Sequence, residues 1–263
     1  MSSDPPVQAF WNELDTLRER SNRPALSEIA LLAQKAGLSV SEALFQIRRL
    51  SEFRNMGSDD IADALAILIS SICSSGGPIK VLEYTAIPSL LTVSLSESLG
   101  APSYIVPDTQ FAEALGILFE GKPASVFQMV EDLGTGSEFD YIICQPPIGR
   151  RSSNTNADGF GGESVRELIP FLAEGGTLYW VTGLGVTFDS RAKNTLAELE
   201  KAGLNVAAMI NIAPSAFAGS MIEGAVIALR RGVQKKFVGA LRDLETALPM
   251  AAAFLDGPTK KSG

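Results

Sequence analysis

Apolar and polar positions alternate with helical spacing through the first fifty residues. Phe10, Leu14 and Leu17 share one face, followed by Leu26, Ile29, Leu32 and Ala33, and then by Ala43, Leu44 and Ile47. Ser27 and Ser41 read as helix caps and Gly37 as a stop signal. The spacing predicts a small helical domain over residues 1–55. Ala33, Gly37 and Val40, ahead of a helix ending in Arg48 and Arg49, admit a helix-turn-helix, but two packed helices joined by glycine are more often plain structure.

A further helix over 58–75, apolar on most sides and hence buried, ends at Gly76-Gly77-Pro78. Beyond it the pattern switches. Apolar runs of strand length fall at 79–84, 103–106, 125–130, 141–144, 177–182, 206–212 and 225–231, and helical patterns at 89–99, 109–119, 164–172 and 191–201. This alternation predicts a mostly parallel sheet with helices on both faces, spanning residues 56–245, with 246–263 as a tail. The last two strands are joined by residues 213–224, too short a link for a long helix, so the last runs antiparallel beside its predecessor.

Composition narrows the chemistry. The chain has 263 residues, 46% of them hydrophobic, enough for a full core. No run reaches the roughly 18 to 20 apolar residues of a membrane span, and the first residues lack a signal-peptide pattern, so a cytoplasmic protein is expected. Cys73 and Cys144 sit far apart in apolar segments and read as buried hydrophobes. There is no histidine, which removes the commonest metal ligand and imidazole-based catalysis, and no metal site is expected. A formal net charge of -8 opposes autonomous binding to nucleic acid, so contact with DNA requires a local site or a partner.

One stretch carries the most chemistry. Phe139-Asp140-Tyr141-Ile142-Ile143-Cys144 ends in Gln145-Pro146-Pro147-Ile148-Gly149. The prolines stop the ladder at the carboxyl edge of the sheet, where open α/β proteins bind ligands, and Gln145 places a side-chain amide there. Tyr141, Trp180 and Phe188 read as core aromatics, because each lies in or beside an apolar strand. Arg150 and Arg151, and separately Arg230, Arg231, Lys235 and Lys236, are basic clusters whose default role is a solvated surface.

The Gln145-Pro146-Pro147-Ile148 run resembles the Asn/Asp-Pro-Pro-Tyr/Phe signature of amino-group methyltransferases. The resemblance extends over residues 57–232, through Leu172-Ala173-Glu174-Gly175-Gly176-Thr177 and Ile210-Asn211-Ile212-Ala213-Pro214, and points to the DNA adenine-N6 methyltransferases, above all the modification subunits of type I restriction systems. It implies the S-adenosylmethionine-dependent methyltransferase fold, a Rossmann-like α/β sheet of seven strands with an antiparallel last strand, plus the N-terminal helices. It also implies S-adenosylmethionine as cofactor and protein partners. Gln145, Pro146, Pro147 and Ile148 would take the catalytic positions. Glu83, Ala86, Asp108 and Asp132, the last beside Glu131, would take the cofactor positions.

Departures from the family pattern fall on the same positions. The turn after the first strand reads Thr85-Ala86-Ile87-Pro88 where the family has glycines, and Ile148 replaces the aromatic on which a flipped base stacks. Asp108 also fits as a helix cap, and Gln145 as a strand-end cap. The expected function is therefore an adenine methyltransferase-like domain of weak or lost activity. The alternatives are a non-catalytic partner-binding scaffold and a methyltransferase acting on protein glutamine or RNA.

Overall fold

The computed structural model describes residues 4–21, 23–50, 67–68, 71, 80–85, 102–146, 161–212, 223–232, 237–241 and 249. The helix predicted over 58–75 lies almost wholly outside these residues, and the helix over 89–99 entirely so.

Three helices open the chain: α1 (Pro5–Arg20), α2 (Leu26–Lys35) and α3 (Val40–Arg48). Their starts differ from the expected caps. Ala25 precedes α2, and Glu28 reaches back to accept its N–H at 2.8 Å. Ser39 rather than Ser41 caps α3, accepting from the Glu42 N–H. A serine inside the first turn of a helix has its neighbouring N–H groups already committed, so the cap falls to the residue just outside. Gly37 ends α2 with φ of +76°, as its sequence position predicts.

These helices do not stand apart from the sheet. Phe10, Leu14, Ile29, Ala33 and Ile47 pack in one core with Tyr104 and Val106 of the sheet and with Phe111 and Leu115 of α4 (Thr109–Leu118). Gln34 of α2 also donates to the Ile117 carbonyl of α4 at 3.2 Å. Just past α3 the guanidinium of Arg49 lies 5.9 Å from the ring centres of both Trp11 and Phe45, so one of the two arginines at the end of the helix-turn-helix candidate is stacked on aromatics.

The sheet holds β1 (Val81–Thr85), β2 (Ser103–Ile105), β3 (Ser125–Phe127), β4 (Phe139–Gln145), β5 (Leu172–Gly183), β6 (Leu204–Ile212), β7 (Gly224–Arg231) and β8 (Phe237–Leu241), in the order β3-β2-β1-β4-β5-β7-β6-β8. All seven expected strands form. β7 is the reversed strand, antiparallel to both β5 and β6. The eighth, unexpected strand adds parallel to β6 at the edge. Five residues interrupted by Gly239 give too short an alternation to stand out in the sequence.

Boundaries shift for local reasons. β3 stops at Phe127, because a 3-10 turn over Val130–Leu133 follows. The predicted helix over 164–172 becomes α5 (Gly162–Leu168), then a 3-10 turn Ile169–Phe171, and Leu172 already pairs with Phe139 of β4. Pro170 lacks the N–H that would continue the α-helix.

Side chains alternate across this sheet between two cores. Leu82, Ile142, Cys144, Leu178, Trp180 and Leu229 face α5 and α6 (Ser190–Lys201). Tyr104 and Val126 face α4 and the N-terminal helices. Arg166 of α5 clamps the two helices on its side, bonding Thr195 at 3.0 Å and Glu198 at 2.7 Å of α6.

Candidate active site at the sheet switch point

The strand order places β1 and β4 side by side, with β2 and β3 on one flank and β5 on the other. Connections leaving β1 and β4 therefore diverge. That opens a crevice at their carboxyl ends, the place where ligands bind in open α/β sheets. The two strands end together, with Thr85 opposite Gln145 in register.

Glu83 and Thr85, two residues apart, share one face with Gln145, and Glu83 is completely buried beside Tyr104 and Ile143. Gln145 is the last residue of β4 and not the first beyond it. Its Oε1 is buried, and among the described residues no hydrogen-bond donor reaches it. A side chain that merely capped the strand end would spend this oxygen on a backbone N–H.

Pro146 follows, buried. Its ring lies where only glycine can face it, because a Cβ on Gly161 would stand 2.0 Å from Pro146 Cγ. Gly161 has φ of +84° and leads into α5, so the chain leaving β4 and the chain entering α5 touch at this point. Pro147, Ile148, Arg150, Arg151 and the loop that follows them lie outside the described residues, as does Ala86.

Asp108 and Asp132, two of the residues expected at the cofactor positions, are exposed groups with local tasks. Asp108 caps α4, its Oδ1 accepting from Gln110 at 3.0 Å and Phe111 at 3.2 Å. Asp132 Oδ2 accepts from the Met129 N–H at 3.0 Å inside the 3-10 turn after β3. Each carboxylate keeps its second oxygen clear of described partners, which fits a hydroxyl or amino donor.

The other face of the crevice carries titratable groups with shifted equilibria. Burial raises the Tyr84 phenol above its ordinary value, against a hydrogen bond from Ser164 that lowers it, with Cys144 and Glu167 adding to the rise. Glu167 is raised by partial burial first and then by repulsion from Glu131 and Glu163. The rim is thus acidic, an environment that suits a cationic ligand better than a phosphate.

Of the three aromatics expected in the core, Trp180 is fully buried, while Tyr141 is half-buried and stacks on Tyr179 with ring centres 6.4 Å apart. Phe188 is not a core residue: it is 73% exposed, just past the carboxyl end of β5. Val186, two residues earlier, takes the buried place in its turn. Cys144 is a buried free thiol, as expected. Arg230 and Arg231 sit opposite Thr177 and Leu204, at the amino edge of the parallel strands and away from Gln145. Arg230 donates there to the Gly175 carbonyl. Among the described residues no group of acidic, cysteine or histidine side chains is arranged to hold a metal, and no helix is long and apolar enough to cross a membrane.

No protein-family model matches the sequence, and no curated protein matches it in sequence. Solved structures do share its fold. A Listeria monocytogenes protein assigned as a class I S-adenosylmethionine-dependent methyltransferase superposes with a TM-score of 0.62 at 13% identity, over 89% of this chain and 79% of that one. The methyltransferase subunit of a type I restriction-modification system from Streptococcus thermophilus gives 0.63 at 15% identity, over 87% and 61%. A type I modification subunit from Vibrio vulnificus gives 0.56 at 12% identity, over 81% and 52%. The chain has the class I S-adenosylmethionine-dependent methyltransferase fold, and it spans little more than half the length of the two modification subunits.

Proposed function

We propose that the chain is the methyltransferase domain of a DNA adenine-N6 modification enzyme, one that binds S-adenosylmethionine weakly and presents an adenine amine to Gln145. One atom carries this reading: the buried, unbonded Oε1 of Gln145 at the switch point. A buried amide oxygen without a partner costs roughly 1–3 kcal/mol, a cost that a ligand amine offsets by donating to it.

S-adenosylmethionine, when bound, supplies a methyl group made electrophilic by its sulfonium. The work left to the protein is positioning. Gln145 accepts a hydrogen bond from the target amine and turns its lone pair outward. Pro146, wedged against Gly161, fixes the backbone that follows. The free oxygen of Asp108 is suited to ribose hydroxyls and that of Asp132 to an adenine amino group. Glu83 lies too deep for direct contact with a ligand at the edge and shapes the floor of the crevice. With a net charge of -8 the chain relies on a protein partner to hold DNA, in keeping with the modification subunits that share its fold.

A second reading, a non-catalytic scaffold for a partner, is favoured by the caps at Asp108 and Asp132, which give both acids a purely structural use. Calorimetric titration of S-adenosylmethionine and of its demethylated product separates the two. Measurable but weak binding is expected, and no heat at millimolar ligand would leave the scaffold. In the same protein Gln145→Ala should keep cofactor affinity and lose methyl transfer to unmethylated DNA by roughly a hundredfold or more.

A further inference from the structure

Gln145 ends β4 between two neighbouring strands. Thr85 of β1 lies opposite it on one side. On the other side Cys144 is opposite Trp180, and the next step of that register puts Val181 of β5 beside Gln145. Residues in register across parallel strands project from the same face, and so does Ile143, two positions back along β4.

These three neighbours are alike in packing and in chemistry. Thr85 and Val181 are 1% exposed and Ile143 is wholly buried, so none has room to move aside. All three are β-branched, which restricts χ1. With strands about 4.8 Å apart, Gln145 is the middle side chain of a row of three, with a stiff wall on each flank.

The backbone of Gln145 is fixed as well. A residue that precedes proline is confined to extended conformations, and Pro146 is itself wedged against Gly161. Among the described residues no donor reaches Gln145 Oε1, so the Thr85 hydroxyl does not bond it. Thr85 therefore acts on Gln145 through shape.

We infer that Thr85 and Val181 are positioning residues, the walls of a slot that holds Gln145 in one side-chain conformation before any substrate arrives. Glutamine has one more rotatable bond than asparagine, so an acceptor amide at this position gains more from being ordered in advance. A slot between packed strands is ordered by folding itself. The inference rests on the reading that Gln145 receives an amine, and it adds which residues make a glutamine usable there.

The test is 15N relaxation of the Gln145 side-chain amide in the ligand-free full chain, its resonance identified by its loss in Gln145→Ala. The parent's order parameter is expected near the rigid value of about 0.85, and Thr85→Ala and Val181→Ala should lower it below about 0.6. Thr85→Val, which keeps the shape and removes the hydroxyl, should restore the rigid value. The inference is overturned if the parent itself lies below about 0.6, if both alanine variants stay rigid, or if Thr85→Val is as loose as Thr85→Ala. The parent's own value decides even where a variant does not fold. In methyl transfer to unmethylated DNA, Thr85→Ala should lower kcat by roughly tenfold or more with little change in KM, and Thr85→Val should rescue it. Relaxation needs neither cofactor nor substrate, whereas cofactor titration tests the methyltransferase reading, so the slot and that reading fail separately.

Discussion

Gln145 and Phe188 show how differently two residues can be read from sequence. The prolines after Gln145 mark a strand end by their missing N–H groups, so its place at the carboxyl edge follows from local chemistry. Whether its oxygen is bonded depends on what packs around it, which no pattern along the chain encodes. Phe188 was misplaced for the same reason: apolar neighbours suggest burial, but the 3-10 turn rotates Val186 inward and Phe188 outward. Tyr84 allows a direct check of the environment at this edge. Its phenol is raised by burial, so the fold favours the neutral form. That stabilisation is complete below the ordinary value of about 10 and is lost as pH rises through the higher folded value. Cys144, also raised by burial, adds in the same direction. Melting temperature should therefore fall steeply above pH ~10, and Tyr84→Phe should flatten that fall in circular-dichroism melts at pH 8, 10 and 11.

Among the elements, the junction of β4 and α5 is the most constrained. Two independent costs meet at Gly161: a side chain there adopts a left-handed conformation, about 1–2 kcal/mol for a non-glycine residue, and its Cβ collides with the Pro146 ring. Gly161→Ala should lower stability by about 2 kcal/mol or more and the melting temperature by roughly 4–10 °C. A variant that melts like the parent would show that Pro146 and Gly161 are not in contact. The glycine is visible in the sequence but its role is not, because the proline that demands it lies fifteen positions earlier in the chain. The strands were legible because β-branched runs such as Ile142 and Ile143 are buried on both faces of the sheet. The first residues of β5, from Leu172 to Gly176, were not, since Glu174 and Gly175 interrupt its apolar character.

At the scale of the molecule, the N-terminal helices and the sheet share a core, although their sequence pattern reads as a separate helical unit. Periodicity identifies an apolar face but not what covers it; here α2 covers α4. A chain lacking residues 1–50 should therefore expose Leu115, Phe111 and Val106 and bind a hydrophobic dye. A soluble, cooperatively melting remainder with no dye binding would argue for an autonomous sheet domain. The reversed β7 has a different outcome, one of timing. β5 and β6 never touch as neighbours, because β7 lies hydrogen-bonded between them, and β8 is reached only through β6. During synthesis the strands from β3 to β5 can pair as they emerge, whereas β6 must wait for residues 224–231 to arrive and insert. One half of the sheet can thus form in chain order, while the other closes only in a single late step.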